Sequence, residues 1–122
     1  MQVLLFQVPP KTEKQLTQRL KTHGISVRTV SQEAYTTPIG VLLGLRKAQR
    51  VLPPLGFTFA EPMLLMHGLS DSMIDTVLAE LRAANIRIDL KAITTPTNLA
   101  WNAMQIYAEL QKEREAFFAN RK

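Results

Sequence analysis

Two histidines, His23 and His67, are the imidazoles available for acid–base or metal chemistry, and the chain has no cysteine. The missing thiols exclude disulfides, thiol nucleophiles and cysteine-built zinc or iron–sulfur centres. His23 falls at the expected end of a helix, where an imidazole suits the negative pole of the dipole. His67 stands just after an apolar run, before Gly68 and a helix start at Ser70-Asp71. Carboxyl ends of strands and amino ends of helices are where α/β folds receive ligands. That placement makes His67 the first candidate site residue. No HExxH pair occurs and the two histidines lack carboxylates at ligand spacing, so no metal is expected. Gly40 and Gly44 stand alone, without a phosphate-binding loop, and no serine sits in a nucleophile-elbow pattern. Asp71, Asp75 and Glu80 share one helix with an ordinary solvated face. No catalytic residue and no cofactor follow from the sequence.

Thr94-Thr95-Pro96-Thr97-Asn98 holds more capping capacity than one helix start needs. Hydroxyls and an amide around a helix amino end can hold an anion. Thr95, Thr97 and Asn98 are therefore candidates for binding an anionic ligand, with charge from Lys91 and Arg28 near the ends of two strands. Trp101 joins them as a candidate partner-binding residue.

The elements that would position these residues come in two series. Val3-Leu4-Leu5-Phe6 reads as a strand buried on both faces, ended by Pro9-Pro10. Lys11 to His23 has helical spacing through Leu16 and Leu20, and Gly24 supplies the left-handed cap. Ile25 to Arg28 alternates as a half-exposed strand. Thr36-Thr37-Pro38 predicts a helix from Pro38 toward Arg50, and an apolar linker over 51–61 follows. Met63-Leu64-Leu65-Met66 then repeats the apolar strand. Ser70-Asp71 caps a second helix with the stripe Met73, Ile74, Val77, Leu78 and Leu81. Asn85 takes the place of Gly24, Ile86, Ile88 and Leu90 alternate with charged residues as a strand, and Thr94-Thr95-Pro96 repeats the Thr-Thr-Pro start. A long helix is predicted from there to about Ala119.

This order predicts one α+β domain over residues 1–122, with pseudo-duplicated halves at 1–50 and 62–119. Each half runs β-α-β-α. The apolar first strands should be central and the alternating second strands should lie at edges. The expected layout is a ferredoxin-like split βαβ sheet with an extra helix in the first half and a long C-terminal helix. A small doubly wound parallel sheet is the alternative. On the last helix, Leu99, Ala103, Ile106, Leu110 and Phe117 form one stripe, and Trp101, Met104 and Ala108 form a second. The second strip, with the projecting Phe117-Phe118, predicts a homodimer through this helix.

The series Met63 to Ser70, then Leu78, Leu81, Ala84 and Ile86, then Leu90-Lys91-Ala92-Ile93-Thr94-Thr95-Pro96-Thr97-Asn98 with Trp101, resembles a bacterial domain-of-unknown-function family, family 3783. Leu69 stands where that pattern usually has an aromatic, and Gln111-Lys112-Glu113-Arg114 replaces a more acidic ending. The resemblance is best over residues 62–114. It implies no activity, but it marks Lys91, Thr95, Pro96, Thr97, Asn98 and Trp101 for testing.

The chain has 122 residues, 46% of them hydrophobic and 20% charged, which is a globular composition. No stretch approaches the ~18 apolar residues of a membrane span. The first apolar run is too short for a secretory leader, so a cytoplasmic location is expected. The net charge of +5 raises the prospect of an anionic partner. The apolar strands lack the exposed aromatics and signature of an RNA-recognition sheet, so no specific nucleic acid is expected. The composite expectation is a small bacterial cytoplasmic binding or regulatory module, non-catalytic and self-associating. The alternatives are a basic nucleic-acid-associated protein and an enzyme using His67 with the Thr94–Asn98 segment.

Overall fold

The computed structural model describes residues 1–47 and 59–119, with the backbone alone at 118 and 119. The expected helix end at Arg50, most of the linker and the Phe118 side chain lie outside these residues. The chain forms two compact units: residues 1–30 with 61–94, and residues 31–60 with 95–122.

The first unit is a four-stranded sheet with two helices. Its strands are β1 (Gln2–Phe6), β2 (Ser26–Thr29), β3 (Met63–His67) and β4 (Leu90–Ile93), in the order β2-β1-β3-β4. The α+β class holds. The strands with unbroken apolar runs, β1 and β3, are central and the polar-edged β2 and β4 are outermost, as their patterns predict. The split layout does not hold. A split βαβ needs a strand between the two parallel ones. Here β1 and β2 are immediate parallel neighbours, as are β3 and β4. The doubly wound alternative fails too, because β1 and β3 run antiparallel, with Leu4 opposite Leu65.

Helix α1 (Pro10–Lys21) begins with proline at its first position, where no N–H is needed. Leu16 and Leu20, one turn apart, are buried. Helix α3 (Asp71–Ala83) is capped by Ser70, whose Oγ accepts from the Met73 N–H at 3.3 Å. Both helices lie on one face, where Val3, Leu5, Leu16, Leu20, Leu64, Met66, Val77 and Leu81 make one apolar cluster. They end alike. Gly24 (φ 74°) and Asn85 (φ 57°) turn left-handed, and the next N–H, of Ile25 or Ile86, returns to the carbonyl of Leu20 or Leu81 at 3.1 and 2.9 Å. Gln7 and Gly68, just past the central strands, also have positive φ. Each of these positions in β3–α3 lies 61 residues after its counterpart in β1–α1: 2 and 63, 7 and 68, 24 and 85.

The fourth strand departs from its pattern. Alternation predicts a strand over Ile86–Leu90, yet β4 begins only at Leu90. Ile88 is buried in the helix-side cluster and Ile86 packs on it. Leu90 is opposite Met63, and Lys91 is opposite Leu64 of that cluster. Side chains on paired positions share a face. Leu90 therefore turns to the sheet face away from the helices, so the alternation breaks between Ile88 and Leu90.

Among its described residues the second unit is irregular around one long helix. It holds a 3₁₀ turn at Gln32–Ala34, the single turn α2 (Ile39–Leu42), a 3₁₀ turn at Asn98–Ala100 and α4 (Ala103–Ala119). Gly44, at φ 75°, follows α2, so the helix expected from Pro38 toward Arg50 is one turn long. The Thr-Thr-Pro equivalence also fails. Pro38 directly precedes α2, whereas Pro96 leads into the 3₁₀ turn and α4 starts only at Ala103. Trp101 (ψ 154°) interrupts the helix expected from Thr97. Pro38 is instead bridged to Asn102, and the Ile39 N–H donates to the Trp101 carbonyl at 2.9 Å. Phe59 stacks between Tyr35 and Tyr107, with ring centroids 4.5 and 4.4 Å apart. The Tyr107 hydroxyl accepts from the Ala60 N–H at 3.2 Å and the Gln111 side-chain amide at 3.1 Å.

Candidate functional site

The sequence candidates divide between the units. His67 and Lys91 belong to the first; Thr95, Thr97, Asn98 and Trp101 belong to the second.

His67 closes β3, and Thr94 follows β4 on the neighbouring parallel strand. Parallel strands carry their carboxyl ends to the same side of the sheet. The Thr94 N–H donates to the Met66 carbonyl at 2.9 Å, which brings Thr94 Oγ1 to 2.8 Å from His67 Nδ1. Hydroxyl and imidazole at this distance are two parts of a nucleophile–base pair. A working pair also needs a third group to orient the imidazole. Among the described residues, no carboxylate meets His67. The contact ties the ends of β3 and β4 together.

Lys91 is half-buried on β4, and its Nζ donates to the Ile88 carbonyl at 2.6 Å. The ammonium thus satisfies a backbone acceptor left outside the strand ladder by the break described above.

Thr95 and Asn98 are joined reciprocally. The Thr95 N–H donates to Asn98 Oδ1 at 2.7 Å, and the Asn98 N–H donates to Thr95 Oγ1 at 3.0 Å. This is a capping box around the 3₁₀ turn. The two amides that could receive an anion are engaged by side chains of the same loop. Thr97 is exposed and makes no side-chain cap bond.

Asn102 and Gln105 repeat the device at the start of α4. The Asn102 N–H donates to Gln105 Oε1, and the Gln105 N–H donates to Asn102 Oδ1, both at 2.9 Å. The Asn-x-x-Gln spacing carried that signal in the sequence, and it locates the helix start better than Thr-Thr-Pro does.

Along the chain these features follow in order: a His-Gly-x-Ser turn from β3 into α3, a strand through Lys-Ala, then Thr-Pro-Thr-Asn and Trp before α4. Residues 62–117 match DUF3783, a domain of unknown function. The DUF3783 match runs from the start of β3 nearly to the end of α4 and covers just under half of the 122 residues. It takes in His67, Lys91, Thr95, Thr97, Asn98 and Trp101 and leaves β1, α1, β2 and α2 outside. No curated protein and no solved structure matches the chain significantly.

Trp101 lies within the DUF3783 segment and is half-buried. With Gln105, Ala108, Glu109 and Lys112 it frames a shallow hollow of about 420 Å³ on one side of α4. Met104 is half-buried, and Phe117, near the end of the helix, is 58% exposed. Among the described residues, no group of three His, Cys, Asp or Glu side chains could hold a metal ion, and no helix is long and apolar enough to cross a membrane.

Proposed function

We propose that this chain is a small cytoplasmic binding module without catalytic chemistry, and that it self-associates through the Trp101 face of α4. The supporting observation is that hollow and its rim. Trp101 and Ala108 supply the apolar part of its lining, while Glu109 and Lys112 add one charge of each sign. A two-fold interface must be complementary to itself, and a patch carrying both signs meets that demand with one surface. The helix extends the patch: its 17 residues span about 26 Å at ~1.5 Å each. Aromatic anchors such as Trp101 contribute disproportionately at interfaces. Ala108 is exposed and Lys112 is exposed, and both lie outside the Asn102–Gln105 capping box, so altering them leaves the fold intact.

Sedimentation velocity tests this reading. The native chain should sediment as a dimer at about 10 µM, a Kd within reach of a standard-sized interface. Ala108→Glu should return it to a monomer with an unchanged far-ultraviolet spectrum. A native chain that stays monomeric at ~100 µM, or an Ala108→Glu variant that dimerises as well as the native chain, would overturn it.

A further inference from the structure

A second surface, in the sheet unit and independent of α4, has the chemistry of a docking site. Where the α3–β4 connection leaves the strand pattern, a groove of about 450 Å³ opens between the last turns of α3 and the approach to β4. Its floor is apolar, with Leu78 and Ile86 half-buried and Ile88 buried. Its rim carries three cations, Arg82, Arg87 and Lys91, against one acid, Asp89. Asp89 is taken by Arg87, whose Nε donates to Oδ1 at 3.2 Å while the side chain stays 88% exposed. Arg82 is exposed and makes no ion pair among the described residues. Lys91 also lines the groove, with its Nζ donating to the Ile88 carbonyl at 2.6 Å.

We propose that this groove binds an acidic, leucine-type segment of a partner protein: apolar side chains on the floor, carboxylates toward Arg82 and Arg87. Charge complementarity selects the sign of the partner, because the rim is net cationic beside an apolar strip. The placement of the charges selects its size. A small-molecule pocket encloses its ligand and fixes it with a few convergent polar groups. Here Arg82 and Arg87 are exposed, and no polar or charged residue of the described chain is buried. An open groove with exposed cations at its border suits a segment of another protein.

The probe is a fluorescein-labelled decapeptide of alternating Leu-Leu and Glu-Glu pairs, followed by fluorescence anisotropy on the full chain. It should bind with a Kd of about 1 mM or tighter and weaken as salt screens the rim. A Lys-for-Glu peptide and a Gln-for-Leu peptide should each bind at least about ten-fold more weakly. The double variant Arg82→Glu/Arg87→Glu, at two exposed positions, should lose the Glu peptide by a similar factor and gain the Lys peptide. Four outcomes overturn the proposal: no binding of the Leu-Glu peptide, equal binding of either control peptide, binding indifferent to the double variant, or tighter binding of a thymidine oligonucleotide that displaces the peptide. Octanoate binding with the same dependence on Arg82 and Arg87, in the absence of peptide binding, would instead assign the groove to a small amphiphile and also count against it.

Discussion

Single residues in this chain do structural work that their chemistry alone disguises. Tyr107 is buried against Phe59, and its hydroxyl takes two donors, so it is an aromatic packing residue with a polar tip. Removing only the tip separates the two roles. Tyr107→Phe should keep the ring stack and cost about 1 kcal/mol of stability, read by urea denaturation. Phe59→Ala removes the middle ring and should cost about 3–5 kcal/mol. Equal losses from the two variants would mean the stack adds nothing beyond the hydroxyl contacts. Gly24 and Asn85 make a second pair. Among the described residues, a Cβ at Gly24 meets only the Met1 Cε at 3.8 Å, so they leave space for a side chain there. The left-handed backbone is what disfavours it. Gly24→Ala should cost about 1 kcal/mol, whereas Asn85→Gly should be neutral or slightly stabilising. Thermal melting of both variants decides it. Both positions were legible in the sequence, because glycine and asparagine after a helical stripe report a local backbone need that no distant contact alters. The candidate site was less legible. Thr95 and Asn98 have the atoms to hold an anion, but their mutual bonds depend on three-residue loop geometry rather than on residue type.

Elements were readable where a periodic apolar pattern coincided with local punctuation. Helix α3 has both, a serine cap and the stripe through Val77 and Leu81. Helix α4 shows what happens when two punctuation signals compete. Pro96 and the Asn102–Gln105 box both announce a helix, and the box governs because its side chains satisfy two amino-terminal N–H groups reciprocally. Asn102→Ala should therefore shorten α4 at its start, destabilising the chain by about 1 kcal/mol. Thr95→Ala should leave α4 intact. Amide exchange at 103–106 distinguishes them: faster in Asn102→Ala, unchanged in Thr95→Ala. The β4 region departs from its pattern for a different reason. Alternation over Ile86, Ile88 and Leu90 is real in burial, yet these side chains serve two faces of the sheet. A period of two cannot reveal which face each buried residue meets.

At the scale of the whole molecule, strand order was beyond the sequence, although the centre-and-edge assignment was not. Uniformly apolar strands demand cover on both sides, so Val3–Phe6 and Met63–Met66 had to be interior. Nothing in those residues says whether the second strand of each half sits beside the first or one place removed. With β1 and β3 flanked by two strands each, their amides should exchange slowest, and those of the edge strand β2 fastest within the sheet. Hydrogen exchange followed by mass spectrometry reads this directly; β2 protected as strongly as β1 would contradict the strand order. The register between β1 and β3 has one more consequence. The two βαβ units repeat with a spacing of 61, and the antiparallel pairing sets Leu4 against Leu65, which is its own counterpart under that spacing. Val3 then meets Met66 and Leu5 meets Leu64, each the other's image. An approximate two-fold axis therefore passes through the Leu4–Leu65 pair, perpendicular to the sheet. It exchanges α1 with α3 and leaves both on one face. A covalently linked chain thus holds within itself the isologous contact by which two identical βαβ subunits would assemble, and each central strand can serve as a template for the other.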